Sequence, residues 1–496
     1  MNVVKLLSEI SKRFPDKSAT VFSNQSISFS RLKDLTFCLA NGLKQLTPLK
    51  NTKIAIYLPN SPEYILSYLA TYCIGRIVVP LDFSFTQEEL ENLINHSQAQ
   101  VLIAKERKEI DFKKLKKNSG LEQIILLGEN LEFKNFHDLI KENSPIEPGV
   151  EVSNSDYSTI FYTSGSTGHP KGVLLNYRHL DGSVKSIEYF LHLSSQDIIL
   201  CSLPLSHIGG LIYLLAMLYF GTTTILQERF LPLEFLKIIE RYKVSCFWIV
   251  PSMYTALLSL KEFKKFDLNS LRYVVVFGAP SSSVLLRRFH QVCPNAYLLN
   301  GWGMTETSPP NVVLPLNSQK IESVGRPAPW LEIKIVDDED REVPVGQVGE
   351  LAVRGWVVME GYYKEPELTR SVLRNGWFYT GDFARVDSEG FLYIVGRRKE
   401  MIKVAGERVH APEVEEAICR HPKIREVAVI GVPDKLRGEV PKAFVVLKEG
   451  KELAEEELRY FCRQHLAHFK IPHYFEFKEI LPKTRSGKID KAVLAK

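Results

Sequence analysis

At 496 residues the chain exceeds one compact core, and at roughly 150 residues per domain it suggests about three structural lobes. With 45% hydrophobic and 24% charged residues it has the composition of a globular protein rather than a disordered one. The formal charge of +5 is small, so no nucleic-acid partner is implied, while weak peripheral membrane association and a homodimer both remain compatible.

The opening segment 1–17 reads as an amphipathic helix with Val4, Leu6, Leu7 and Ile10 on one side, and it lacks the long apolar core of a signal peptide. Short β-branched or apolar runs follow at 53–58, 100–104, 123–127, 222–226, 246–250 and 273–277. They alternate with helical segments, which predicts an α/β fold with mainly parallel sheets. The most apolar run, 211–220, is ten residues long, whereas a membrane span needs about 20, so a buried helix is expected. After about Ser323 turn residues separate short β runs, predicting a β-rich lobe. The tail from about Met401 reads as a small α+β unit, with helices at 412–420 and 454–465 and strands at 427–431 and 443–447. Seven scattered cysteines without a CxxC pair fit reduced thiols in a cytoplasm better than a disulfide framework or a zinc site.

The strongest chemical signal is YTSGSTGHPKGV, 162–173. Its glycines permit close backbone approach, its hydroxyls (Thr163, Ser164, Ser166, Thr167) offer donors, and Lys171 adds a cation, a composition suited to cradling phosphate. Those glycines are Gly165, Gly168 and Gly172. Lys171 lies between Pro170 and Gly172, which departs from the Walker pattern.

Further strings follow in order: LPLSHIGG at 203–210, FGAP at 277–280, GWGMTE at 301–306, YTGD at 379–382, GRRKEMIKVAGERVHAPEVE at 396–415 and PKTRSGKI at 482–489. Together with the loop they resemble the adenylate-forming superfamily of acyl-CoA synthetases, luciferases and peptide-synthetase adenylation domains over almost the whole chain. The resemblance implies a large N-terminal domain, 1–396, of doubly wound α/β subdomains plus a distorted β-barrel, and a mobile α+β domain, 397–496. It implies an enzyme that uses ATP and Mg²⁺ to convert a carboxylic acid to acyl-AMP and then passes the acyl group to coenzyme A.

Residue by residue, the resemblance places Thr305 on the ATP phosphates and Glu306 on the metal, since a hard cation bridging phosphates needs a carboxylate oxygen. Trp302 stands where the family usually has Tyr and either stacks on adenine or packs in the core. Gly278, Ala279 and Pro280 belong to the nucleotide site. Asp382 matches the ribose-binding acid, with a turn-forming role as the alternative. Arg397 matches a nucleotide-contacting arginine, and Lys399 occupies the hinge. Lys488 matches the essential lysine, whose ammonium would stabilise charge building on the transferring phosphoryl group. By the same resemblance 403–407 lines a thiol tunnel, where Gly406 admits pantetheine or simply forms a strand turn.

The acid is expected to contact His207, Gly209, Val250, Phe277, Gly278, Gly301 and Gly303, with a core histidine as the other reading of His207. Ile208 stands where amino-acid-activating relatives carry Asp, so an α-ammonium would be uncompensated and the substrate should lack one. Acetate-specific relatives place Trp at the position of Gly303, so an acyl group longer than acetyl, or an aromatic acid, is expected. Phe277 stands where the family generally has Gly or Ser and would narrow the pocket, which leaves the chain length open. A medium- or long-chain fatty acid is the leading substrate. An o-succinylbenzoate or other aryl acid, and a carrier-protein acceptor, remain alternatives.

Overall fold

The computed structural model describes residues 1–129, 132–163, 170–278, 281, 283–484 and 487–495. The expected short runs form strands within a residue or two of their sequence bounds, and most lie in two large, mainly parallel sheets. The first runs, in spatial order, through Tyr297–Trp302, Tyr273–Val276, Cys246–Ile249, Ile198–Cys201, Thr223–Leu226 and Ser18–Phe22, all parallel, with antiparallel strands at both edges. The second runs through Tyr157–Thr163, Ile77–Pro80, Lys53–Tyr57, Val101–Lys105 and Gln123–Leu127, also parallel, and is extended by antiparallel Lys171–Asn176.

These strands read as continuous apolar runs because both faces are covered. In Cys246–Ile249, Cys246 and Trp248 join one core cluster while Phe247 and Ile249 join another, the period-2 alternation of a strand packed on both sides. The first cluster holds residues of both sheets together with the helices Phe29–Leu46, Pro62–Cys73, Tyr177–Leu191 and Ile208–Phe220, which therefore fill the layer between the sheets. Ile208–Phe220 is the buried apolar helix read from the sequence, and among the described residues no helix is long and apolar enough to cross a membrane. The opening helix, Val3–Arg13, buries Val3, Val4, Leu7 and Ile10.

The β-rich lobe is an antiparallel sheet of Glu332–Val336, Gly349–Arg354, Trp377–Val386, Leu373–Arg374 and Leu392–Arg397. A 3-10 turn, Arg398–Glu400, leads into a smaller unit with its own sheet and its own apolar cluster. There the helices Ala411–Cys419 and Glu455–His465 pack on strands Ile424–Asp434 and Gly438–Leu447, which are longer than the sequence runs suggest because their pairing continues into an exposed hairpin. The fold is thus a large α/β unit followed by a small α+β unit.

Candidate active site

Several sequence-predicted residues sit at or just beyond the C-terminal ends of strands of the first sheet, where ligand sites in open α/β sheets lie. Trp302 closes the strand Tyr297–Trp302, and Phe277 and Gly278 follow Tyr273–Val276. Asp382 is delivered by the β-rich lobe, where it pairs in register with Arg397, next to Gly381, whose φ of +73° falls in the left-handed region. Its buried carboxylate is doubly held: Trp302 Nε1 donates to Oδ2 at 2.8 Å, and Arg397 Nε lies 3.0 Å from Oδ1.

Glu306 lies in the 3-10 turn Thr305–Thr307 and is buried. Tyr362 donates its hydroxyl to Glu306 Oε1 at 2.9 Å, and the Lys171 ammonium sits 5.3 Å over the Tyr362 ring. Burial pushes the Glu306 carboxyl above the usual carboxylate range; a backbone N–H, the Tyr362 hydroxyl, Arg397 and Lys171 oppose it. Lys171 begins the strand that pairs with Thr163, so the hairpin fixes both ends of the predicted phosphate loop. The loop residues Ser164, Gly165, Ser166, Thr167 and Gly168 lie outside the described residues, as do Ala279 and Pro280.

Lys488 comes from the small unit and reaches across to the large one. A Cβ placed on Gly278 would meet Lys488 Cε at 3.4 Å and Val250 Cγ1 at 3.4 Å, ordinary contact distances, and Gly278 has a φ of +88°, so backbone conformation favours glycine there. The lysine's turn is shaped by Lys488 N–H donating to Thr484 Oγ1 at 3.1 Å, and it is held to the large unit by the Ser252 hydroxyl donating to the Gly487 carbonyl. Burial, then the cations Arg397 and Lys399, lower the Lys488 ammonium to about 8, with Asp382 and Glu306 opposing. Lys399 is held below its ordinary value by desolvation and by Arg397 and Lys171. Among the described residues, four cations (Lys171, Arg397, Lys399, Lys488) therefore gather with three carboxylates (Asp382, Glu306, Glu400), an excess of one positive charge. That field suits a polyanion.

On the acyl side, His207 caps the helix Ile208–Phe220, and its Nε2 lies 3.6 Å from Asp82 Oδ2, buried and without a hydrogen-bond partner among the described residues. Burial would raise the Asp82 carboxyl, but His207 and the Ser84 hydroxyl and N–H outweigh it and bring it down to about 2. The Phe277 ring covers Gly301 so closely that a Cβ there would meet Cε1 at 1.9 Å, and Gly303 faces Pro309 at 2.6 Å on the same measure. Trp248 Nε1 donates to the Gly209 carbonyl at 3.0 Å, and its ring stacks on Tyr213 at 3.7 Å.

Gly406 stands apart from this cluster in its surroundings: it is the exposed turn of the hairpin Met401–Val404 and Glu407–His410, with φ positive at both Ala405 and Gly406. Among the described residues nothing lies within 4 Å of a Cβ built on it. Sequence reasoning missed Tyr362, Asp82, Trp248 and Ser252, none of which sits in a motif that carried a chemical reading.

The "AMP-binding enzyme" family model matches residues 7–363, and the "AMP-binding enzyme C-terminal domain" model matches 413–488. The chain belongs to the AMP-binding enzyme family. Within it the chain is an enzyme of the acyl-CoA synthetase class. A long-chain-fatty-acid–CoA ligase of Bacillus subtilis is 33% identical, with 98% of this chain and 92% of the relative covered. A feruloyl-CoA synthase of Amycolatopsis is also 33% identical, covering 96% and 95%. The crystal structure of the anthranilate CoA ligase AuaEII with anthranoyl-AMP superposes with a TM-score of 0.94 at 27% identity, covering 100% of this chain and 96% of that one.

Proposed function

We propose that this enzyme activates a fatty acid as its acyl-adenylate, releasing pyrophosphate, and transfers the acyl group to coenzyme A. The observation that carries this reading is the seat of Lys488 against Gly278 inside a cluster of four cations, Lys171, Arg397, Lys399 and Lys488 itself. A carboxylate oxygen attacks the α-phosphorus of ATP, the bond to the bridging oxygen breaks, and pyrophosphate departs. Lys488 and Lys171 offset the charge that builds on the phosphates, Asp382 accepts hydrogen bonds from the ribose, and Trp302 and Arg397 hold that carboxylate in place.

Among the described residues no cluster of three or more His, Cys, Asp or Glu forms a metal cage. Mg²⁺ needs none when phosphates supply most ligands, and the inward-facing Glu306 carboxylate, with one oxygen on Tyr362, fits the remaining role. When bound, the ion would neutralise phosphate charge. In the second step the thiolate of coenzyme A attacks the acyl carbonyl and AMP leaves. Gly406 lies at an exposed turn here, which supports rotation of 397–496 about Arg397–Lys399 between the two steps.

Ile208, apolar at the head of the buried helix, favours an acid without an α-ammonium. A second reading, an aryl acid, is favoured by the aromatic rings of Phe277 and Trp248 around Gly301 and Gly209 and by the feruloyl-CoA synthase relative. The test is pyrophosphate release with MgATP across straight-chain, branched and aromatic acids, each with and without coenzyme A, beside Lys488→Ala. Release that needs one acid class, rises with coenzyme A and collapses in the variant supports the reading; adenylate formation that coenzyme A never accelerates would point to a carrier-protein acceptor.

A further inference from the structure

The two units meet at a contact that uses neither nucleotide nor acid. Ser283, buried at the start of the helix Ser283–Val292, donates twice to Glu416 on the helix Ala411–Cys419: its N–H to Oε2 at 3.1 Å and its hydroxyl to Oε1 at 2.5 Å. Both carboxylate oxygens are used. The acceptor sits where the first turn of a helix leaves N–H groups without partners and where the helix dipole favours an anion. Among the described residues the cation paired with Glu416 is Arg420 at 3.9 Å, one turn along from it, on its own side of the interface.

Two ion pairs beside the hinge, Arg397–Asp382 and Arg398–Glu350, have a buried acid, while the others between the units are exposed. Lys261–Glu449 is open to solvent on both sides, and Asp338 holds Arg398 and Arg408 near the surface. Pairs of that kind contribute little. The Ser283–Glu416 contact differs in being two-pronged, charge-assisted and partly sheltered. It also grips a telling place. Lys488 lies against Gly278, and Glu416 bonds Ser283 five positions further along, both from the small unit.

We infer that Glu416 is a positioning residue for adenylation: docked on Ser283, it fixes the small unit where Lys488 meets Gly278, and the contact is released before thiol transfer. This rests on the two-step reading above. Glu416 touches no reacting group, so its removal should divide the half-reactions rather than depress both.

The experiment measures single-turnover pyrophosphate release with octanoate and with benzoate, and separately the coenzyme A-dependent consumption of synthetic octanoyl-AMP and benzoyl-AMP. In Glu416→Ala, pyrophosphate release should slow by about tenfold, the scale of one lost charge-assisted contact, while consumption of preformed acyl-AMP stays unchanged or quickens. Ser283→Ala, which keeps the backbone donor, should show the same split with a smaller slowing, and Glu416→Gln should recover part of the rate. Equal losses in both half-reactions, or no change in either, in folded Glu416→Ala and Ser283→Ala would overturn the inference. A wild-type enzyme that neither releases pyrophosphate nor consumes acyl-AMP would instead remove the activity reading, and this inference with it.

Discussion

The indole N–H of Trp302 donates to Oδ2 of Asp382 at 2.8 Å, joining the large sheet to the β-rich lobe through a buried carboxylate whose other oxygen faces Arg397. An aromatic residue that could have served only as a flat surface thus also acts as a hydrogen-bond donor. Trp302→Phe keeps the ring and removes the donor. A hydrogen bond to a charged group contributes about 1.5–3 kcal/mol, so the KM for ATP should rise on the order of tenfold, with kcat changed much less. Steady-state titration of ATP at saturating acid checks this; an unchanged KM would mean that Arg397 alone orients Asp382.

The Lys488 ammonium, lowered to about 8 by burial and by Arg397 and Lys399, gives the first half-reaction a pH signature. The protonated form carries the useful charge. A lowered pKa means that this charge is complete near pH 6 and is lost as pH rises through about 8. The kcat/KM for ATP should therefore fall on an alkaline limb near that value, while the limb in kcat lies higher because bound phosphates favour the cation. In Lys488→Ala the residual adenylation should lose this limb. A wild-type profile flat to pH 9.5 would remove Lys488 from the role.

Tyr362 and Glu306 form the second electrostatic unit. Burial already pushes the carboxyl up, and the Tyr362 hydroxyl is one of the groups opposing it. Tyr362→Phe should raise it further, so the acid limb of activity moves to higher pH and more Mg²⁺ is needed near neutrality. Glu306→Gln should lower kcat about 100-fold at any pH, as loss of a group acting on transition-state charge does. Magnesium titrations at two pH values separate the variants: the tyrosine defect is relieved by raising pH, and the glutamate defect is not.

The ordered motifs named most of the charged residues that the fold gathers around Lys488, because each motif packs several chemically specific residues into a few positions. The parallel strands were legible for another reason, their burial on both faces. Tyr362 and Glu416 were not. Tyr362 meets Glu306 across 56 positions, and Glu416 meets Ser283 across 133, with no local string to mark either pair. Trp302 shows the intermediate case: its position in GWGMTE was plain, but its bond to Asp382 depends on how the β-rich lobe docks. Gly303 shows the reverse. Its lack of a side chain suggested open space, yet Pro309 stands against it, contributed by a turn that pattern alone does not place.

Phe277 offers the most direct handle on the acid. Its ring occupies the space a side chain at Gly301 would need and packs beside the main core cluster. Removing it opens volume at the end of the strand Tyr273–Val276, close to Gly278 and therefore to Lys488. Phe277→Gly should raise kcat/KM for branched and aromatic acids relative to the best straight-chain acid by roughly tenfold, within the range that pocket-volume changes give. Some stability is lost as well, below the roughly 3–5 kcal/mol of a fully buried Phe truncation, because the ring is only half-buried. Competition between paired acids, followed by mass analysis of the acyl-CoA products, measures the ratio without separate rate constants. If the ratio stays fixed while ATP affinity is intact, the acyl group does not pass Phe277, and the pocket must run toward Trp248 and Tyr213 instead.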